Sequence, residues 1–274
     1  MNLPRYAVVG NPVSHSKSPL IHQLFATQTG ITLEYTTIQA QEENFSDVVT
    51  HFFAQGGKGL NITVPFKEKA CRLIQQCSKR ADLAKAVNTL LINTEGKLYG
   101  DNTDGVGLVT DIKLNHNFDL AAKRILILGA GGAVRGVLSA LVKESPTSIT
   151  LMNRTASKAL QLKEAFKAVF TINIASYDEA SHQQYDLIIN GTSLSLQGNL
   201  PPIQSTILAG DCCCYDMMYG KQDTVFIHWA KERGAGLALD GLGMLVEQAA
   251  ESFYLWHGIK PVTSTVIKTV KTSM

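Results

Sequence analysis

The chain has 274 residues, 45% of them hydrophobic, and 25 lysines and arginines against 23 aspartates and glutamates. That length suits two compact cores, while a net charge of +2 argues against binding nucleic acid or a membrane surface through bulk electrostatics. No apolar run is long enough to span a bilayer, and Met1-Asn2-Leu3-Pro4-Arg5 leads into a short strand without a leader-type apolar core, so a cytoplasmic enzyme is expected.

Strand and helix signals alternate through the first hundred residues. Tyr6–Gly10 reads as a strand, Pro19–Thr29 as an amphipathic helix closed by Gly30, and Leu33–Ile38 as a second strand. A helix over Glu42–Gln55 ends at Gly56-Gly57, and a third strand covers Gly59–Val64. Helices follow at Lys67–Cys77 and Ala81–Lys85, then a hairpin of Thr89–Asn93 and Lys97–Gly100 around Glu95-Gly96. This is the pattern of an α/β unit with a largely parallel sheet.

Three polar segments in this unit ask for a reason. Ser14 and Ser16, just before a helix start, suit a carboxylate ligand together with free backbone donors; equally, Ser18 caps the helix with Pro19 at its first position and the other serines fill a loop. In Asn61-Ile62-Thr63-Val64-Pro65-Phe66-Lys67, strand alternation points Asn61 and Thr63 the same way. Lys67 there is placed to donate a proton to an alcohol or ketone oxygen, or is an ordinary surface lysine in the charged helix start Lys67-Glu68-Lys69. Asp101, Asn102 and Asp104 read either as cap and turn residues or as ligands for vicinal hydroxyls, one aspartate pairing with a lysine.

Asp104–Asn115 should form a helix into a second unit that starts near Lys123. There the strand Arg124–Leu128 ends in Gly129-Ala130-Gly131-Gly132, and the strand Ser148–Met152 ends in Asn153-Arg154-Thr155, with Lys158 one turn on. Such a glycine turn lets the backbone approach a pyrophosphate at a helix N-terminus. A basic tip on the second strand, where an acidic residue would hold the 2′-hydroxyl of NAD, favours the 2′-phosphate of NADP. Val134 departs from the glycine or alanine usual at the third fingerprint position, and a glycine turn can also form with no nucleotide at all.

Further strands are expected at Ala168–Ile174, Leu187–Asn190 and Asp211–Asp216, and helices at Ser157–Phe166 and Thr224–Arg233. Cys212, Cys213 and Cys214 read as small hydrophobes in a buried strand, since neighbours on a strand face opposite ways and cannot share a metal. Helices over Met244–His257 and from Val262 have no strand of their own to cover, so they should return to the first domain. The expected domains are 1–103, 104–241 and the helices of 242–274, with ligands in an interdomain cleft at the carboxyl ends of strands.

Taken together, Ser14-His15-Ser16-Lys17-Ser18-Pro19, Asn61 to Lys67, Ala86-Val87-Asn88-Thr89 and Asp101 to Gly105 resemble in order and spacing the signature segments of the shikimate dehydrogenase family. Gly129 to Ala133, Asn153-Arg154-Thr155, Asn190-Gly191-Thr192-Ser193, Tyr215 to Tyr219 and Asp240 to Leu245 continue the match over essentially the whole chain. The resemblance implies a two-domain α/β enzyme with a Rossmann-like second domain. It implies NADP-linked interconversion of shikimate and 3-dehydroshikimate, a step toward chorismate and the aromatic amino acids. It assigns Lys67 and Asp104 as the catalytic pair, Ser14, Ser16 and Tyr219 as carboxylate ligands, and Thr63, Asn88 and Gln248 as hydroxyl ligands or orienters. The cofactor's pyrophosphate falls to Gly129, Ala130, Gly131, Gly132 and Ala133, its 2′-phosphate to Asn153, Arg154, Thr155 and Lys158, and its nicotinamide to the neighbourhood of Thr192, Met217 and Gly241. No metal is implied, and the partner is a small molecule, with the chain a monomer or homodimer. The competing readings are a relative that accepts quinate or prefers NAD, and a catalytically silent NADP-binding module.

Overall fold

The computed structural model describes residues 3–274, apart from the side chain of Ser181; the leaderless start read at Met1 and Asn2 lies outside them. The chain forms two compact units, one running to Gly107 and including Leu245–Ser273, the other Leu108–Met244. The boundary read at 103/104 therefore falls a turn early, because Asp104 bonds to Lys67 and Asn88 of the first unit.

In the first unit β1 (Arg5–Gly10), α1 (Ser18–Thr29), β2 (Glu34–Gln39), α2 (Phe45–Ala54), β3 (Gly59–Ile62), α3 (Lys67–Leu73), β4 (Gln76–Cys77), α4 (Lys79–Ala84), β5 (Thr89–Ile92), β6 (Leu98–Asp101) and the start of α5 (Asp104–Thr110) follow in order. The six strands form one sheet in the order β2-β1-β3-β5-β6-β4. Parallel pairings join β1 to β2 and β3, and the hairpin β5–β6 adds antiparallel ones. One face packs Val9, Phe45, Val49, Leu60, Phe66 and Leu90 into a core.

The C-terminal helices α10 (Leu242–His257), from Leu245 on, and α11 (Thr263–Thr272) belong to this unit. Trp256 Nε1 donates to the Leu90 carbonyl at 3.2 Å, and the indole fills the space a side chain on Gly59 would need. Gln28 on α1 bonds Val262 and Thr265 at the start of α11. The return of these helices to the first domain thus has a sequence cause in Gly59, Trp256 and Gln28.

Local departures from the sequence reading have identifiable reasons. Strand β3 stops at Ile62, and Phe66 N–H closes a turn on the Thr63 carbonyl around Pro65. Asn61 and Thr63 therefore do not share a strand face: Asn61 is buried against Tyr35 and Ser252, whereas Thr63 packs over Gly10. The helix read to Cys77 breaks at Ile74, which turns extended so that Gln76–Cys77 can pair with Tyr99–Gly100. Ser18 is not the cap of α1 but its first residue; Ser16 Oγ accepts the Ser18 N–H at 3.2 Å.

The second unit continues α5 into a π-helical turn, Asp111–Asn115, then β7 (Arg124–Leu128), α6 (Gly132–Lys143), β8 (Ser148–Met152), α7 (Ala156–Phe166), β9 (Ile172–Ile174), α8 (Tyr177–Ser181), β10 (Tyr185–Asn190), β11 (Leu208–Asp216), α9 (Val225–Glu232) and β12 (Leu237–Leu239). Its six strands are all parallel in the order β12-β11-β10-β7-β8-β9, which is the doubly wound arrangement of a dinucleotide fold. The short α8 and edge strand β12 are absent from the sequence reading, and β9 is shorter than the Ala168–Ile174 read there. Cys212, Cys213 and Cys214 are buried on β11; Cys212 and Cys214 share a core with Leu126, Leu128 and Phe226, and burial pushes the Cys213 thiol up to about 12.

His22 on α1 sets an acid limit on the first unit. Its ring is fully buried, stacks on Tyr35 at 4.3 Å, and has no hydrogen-bond partner for either nitrogen among the described residues. Burial lowers its pKa from 6.5 to about 3. Between those values the unfolded chain binds a proton that the folded chain does not, so stability is full above the unfolded value and is lost as pH falls. Urea unfolding of wild type and His22→Phe at about pH 7 and about pH 4.5 should show the wild type losing roughly 2–3 kcal/mol more than the variant on acidification. Equal losses would remove His22 from the acid response.

Candidate active site

The turn that ends β3 delivers Lys67 to the first position of α3, and the end of β6 delivers Asp101-Asn102-Thr103-Asp104 to the start of α5. Asn88, one residue before β5, lies between them: its N–H donates to the Asp101 carbonyl and its carbonyl accepts from Ile62. These backbone bonds place three polar side chains at one end of the sheet.

Lys67 Nζ donates to Asp104 Oδ2 at 2.6 Å, with the lysine side chain 19% exposed and the aspartate 5%. The second carboxylate oxygen accepts from Asn88 Nδ2 at 2.8 Å. Asn102 Oδ1 takes the Asp104 N–H at 3.1 Å while its own amide donates to the Ala86 carbonyl, so Asn102 fixes the turn. Asp101, the other aspartate open to a lysine in the sequence, is taken instead by Arg80 at 2.7 and 2.8 Å and by Ser78. Arg80 also holds Glu251 of α10 at 3.0 Å. Gln248, on the same helix, brings Oε1 to 3.3 Å from Asn88 Nδ2 and 3.4 Å from Thr103 Oγ1.

Ser14 is exposed in the loop after β1, and Ser16 is half-buried and hydrogen-bonded to Ser18. Thr63 stands beside that loop, its methyl against Gly10, whose own neighbours include Val13. Tyr219 belongs to the second unit, in the segment after β11, where burial raises its phenol pKa.

At the end of β7, Gly129 has φ +109°, a conformation natural to glycine. A Cβ there would lie 3.2 Å from the Gly191 carbonyl group, whereas Cβ atoms on Gly131 and Gly132 would point into open space. The first turn of α6 thus presents bare backbone and its free N–H groups, which fits a pyrophosphate. Val134 is buried, and the room for it comes from Gly191, whose Cβ would meet the valine Cγ2 at 2.3 Å. Asn153, Arg154 and Thr155 form the turn between β8 and α7, with Arg154 and Lys158 exposed, a donor set suited to a phosphomonoester.

Thr192, Met217 and Gly241 are knitted together at the carboxyl ends of β10, β11 and β12. Asn190 Oδ1 accepts the N–H and hydroxyl of Thr192, Met217 N–H donates to the Asn190 carbonyl, and Gly241 N–H donates to Met218. A side chain on Gly241 would strike the Met217 carbonyl at 2.4 Å. Beneath them the buried Asp216 accepts from Asn190, Ser195, Thr224 and the Met218 N–H. Burial nonetheless raises its pKa, with these four donors opposing. Asn190 and Asp216 fall in the motif segments but have no role in the sequence reading, and Ser195 and Thr224 have none either, although Asn190 and Asp216 end apolar strand runs, where a polar residue needs a reason. Among the described residues no cluster of three His, Cys, Asp or Glu side chains is placed to hold a metal ion.

The family profile of the shikimate dehydrogenase substrate-binding domain matches residues 8–90, that of shikimate / quinate 5-dehydrogenase residues 112–197, and that of the shikimate 5′-dehydrogenase C-terminal domain residues 241–271. A shikimate dehydrogenase (NADP(+)) of Hahella chejuensis is 54% identical over 262 residues, covering 96% of each chain. The chain belongs to the shikimate dehydrogenase family. A second such relative, from Marinobacter nauticus, is 52% identical and covers 97% of this chain and 98% of its own. The crystal structure of an Ael1 enzyme from Pseudomonas putida has a TM-score of 0.92 at 42% identity, with 97% of each chain covered. The Thermus thermophilus shikimate 5-dehydrogenase, solved with NADP(H) and shikimate, has a TM-score of 0.88 at 30% identity, with 99% of this chain and all of that one covered. The shikimate dehydrogenase fold thus extends along this whole chain, both sheets included.

Proposed function

We propose that this shikimate dehydrogenase family member interconverts shikimate and 3-dehydroshikimate with NADP(H), using Lys67 and Asp104 as its proton-handling pair. The observation that carries the reading is the mostly buried Lys67–Asp104 contact at 2.6 Å, with Asn88 on the other carboxylate oxygen. NADP(H), when bound, supplies or accepts the hydride. In the reducing direction the substrate's ketone oxygen gains charge, and a Lys67 ammonium proton passes to that oxygen, leaving an amine bonded to Asp104. In the oxidising direction Lys67 takes the alcohol proton back. Asp104 orients the Lys67 side chain throughout, and Asn88 and Gln248 orient the carboxylate and the substrate hydroxyls.

Ser14, Ser16 and Tyr219 supply hydroxyl donors for the substrate carboxylate, and Thr63 a donor for a ring hydroxyl. The bare turn Gly129 to Ala133 takes the pyrophosphate, Arg154 with Asn153, Thr155 and Lys158 the 2′-phosphate, and Thr192, Met217 and Gly241 border the nicotinamide. The first unit is accordingly the substrate domain and the second the NADP domain.

Initial rates with shikimate and quinate, each with NADP+ and NAD+, test the specificity. The highest kcat/KM is expected for shikimate with NADP+. A quinate or NAD+ combination that equals it would defeat the specificity assigned to these residues.

A further inference from the structure

A line of buried polar side chains runs from Asp104 deep into the first unit. Tyr35 on β2 donates its hydroxyl to Asn61 Oδ1 at 2.7 Å. The Asn61 amide is thereby turned with Nδ2 toward Ser252 Oγ at 3.0 Å, and toward Thr89 Oγ1 and the Asn88 carbonyl at 3.3 Å each. The Thr89 and Ser252 hydroxyls are 2.7 Å apart, and Thr89 Oγ1 is 2.9 Å from Asn88 Oδ1. That amide oxygen also accepts the Thr103 N–H at 2.9 Å, and the amide nitrogen donates to Asp104. Thr89, Thr103 and Ser252 are each fully buried.

Counting protons gives the line a direction. A phenol bonded to an amide oxygen is the donor, and an amide NH2 only donates, so Asn61 shares its two protons among the Ser252, Thr89 and Asn88 carbonyl oxygens, the nearest being Ser252. Each hydroxyl then has one proton to place. Ser252 has three acceptors in reach, Thr89 Oγ1 at 2.7 Å, the Gln248 carbonyl at 3.1 Å and Thr103 Oγ1 at 3.3 Å, and Thr89 is the nearest of them. With Ser252 donating to Thr89, the Thr89 proton is left for Asn88 Oδ1. Every donor from Tyr35 onward then points toward Asp104, and bonds aligned in this way polarise one another.

We propose that Thr89, oriented by Asn61 and Ser252, is a positioning residue of the reaction: its hydroxyl donates to Asn88 Oδ1 and holds the Asn88 amide with its N–H on Asp104. The Thr103 N–H prevents that amide from flipping, and Thr89 anchors the same oxygen to β5, so the carboxylate facing Lys67 is fixed by the sheet itself. This inference rests on Lys67 and Asp104 being the reacting pair.

The test is steady-state kinetics of Thr89→Val, Thr89→Ser and Lys67→Ala with shikimate and NADP+, alongside their unfolding temperatures. Thr89→Val, which replaces the hydroxyl with a methyl of similar size, is expected to lower kcat about tenfold, the rate equivalent of one lost hydrogen bond. KM for NADP+ should stay within about twofold, because the cofactor is held by other residues. Thr89→Ser keeps the donor and should restore most of the rate. If the valine variant does not fold, Thr89→Ala, which also removes the hydroxyl, carries the same expectation. A folded Thr89→Val with wild-type kcat means that the hydroxyl donates to Ser252 instead, and overturns the proposal. So does an equal loss in Thr89→Val and Thr89→Ser. Turnover by Lys67→Ala at the wild-type rate would instead sink the pair itself, whatever Thr89 does.

Discussion

Lys67→Ala should lower kcat by about 10²- to 10⁴-fold, the range of a lost general acid, while KM for shikimate moves by no more than about threefold. The split follows from what the ammonium does. In the ground state the substrate oxygen is neutral and Lys67 is already bonded to Asp104 at 2.6 Å, so truncation removes little binding. In the transition state the oxygen is charged, and a donor aimed at it acts only there. Asp104, Asn88 and Gln248 remain bonded to one another without the lysine, so the site's framework survives the change. Steady-state kinetics with a folded variant check this. Unchanged kcat removes Lys67 from the chemistry, and a rise in KM alone makes it a substrate ligand only.

Arg154→Ala should raise KM for NADP+ by about 10- to 100-fold, the equivalent of a lost charge-assisted contact, and leave KM for NAD+ nearly unchanged. Arg154 is exposed in the turn after β8, beside Asn153, whose amide donates to the Thr155 carbonyl at 2.8 Å and shapes that turn. An exposed guanidinium contributes little to the fold, so the substitution isolates coenzyme binding. Kinetics of both coenzymes at low ionic strength check it. Equal efficiency of NADP+ and NAD+ in the wild type would defeat the 2′-phosphate assignment before any substitution is made.

Much of this was legible in the sequence because the deciding signals are local. The apolar run closed by glycine marks β7 to the residue and a helix after the glycine turn, since strand, turn and helix start each have their own composition. The motif segments carried Lys67, Asn88 and Asp104 to the same place although 37 residues separate the lysine from the aspartate. What the residues left open, apart from the family resemblance, was which aspartate meets the lysine. That depended on Arg80, a helix residue whose charge is used up on Asp101 and Glu251, a tertiary choice without a local signature.

Two other misreadings share that cause. Val134 looks like a flaw in the glycine fingerprint until Gly191, far along the chain, is seen to make room for it. The alternation that pairs Asn61 with Thr63 holds only while the strand lasts, and β3 stops at Ile62. Asn61 turns inward instead to Tyr35 and Ser252. The short edge strands β4 and β12 were missed because their few residues carry no periodicity; each exists through its neighbour's ladder.

The most direct measurement is the nicotinamide absorbance of the folded chain mixed with NADP+ and shikimate. The reading given to Lys67, Asp104 and the glycine turn predicts a steady rise in the reduced-nicotinamide band, abolished to the eye by Lys67→Ala. A flat trace from folded wild-type protein, or an equal rise from the lysine variant, would contradict it.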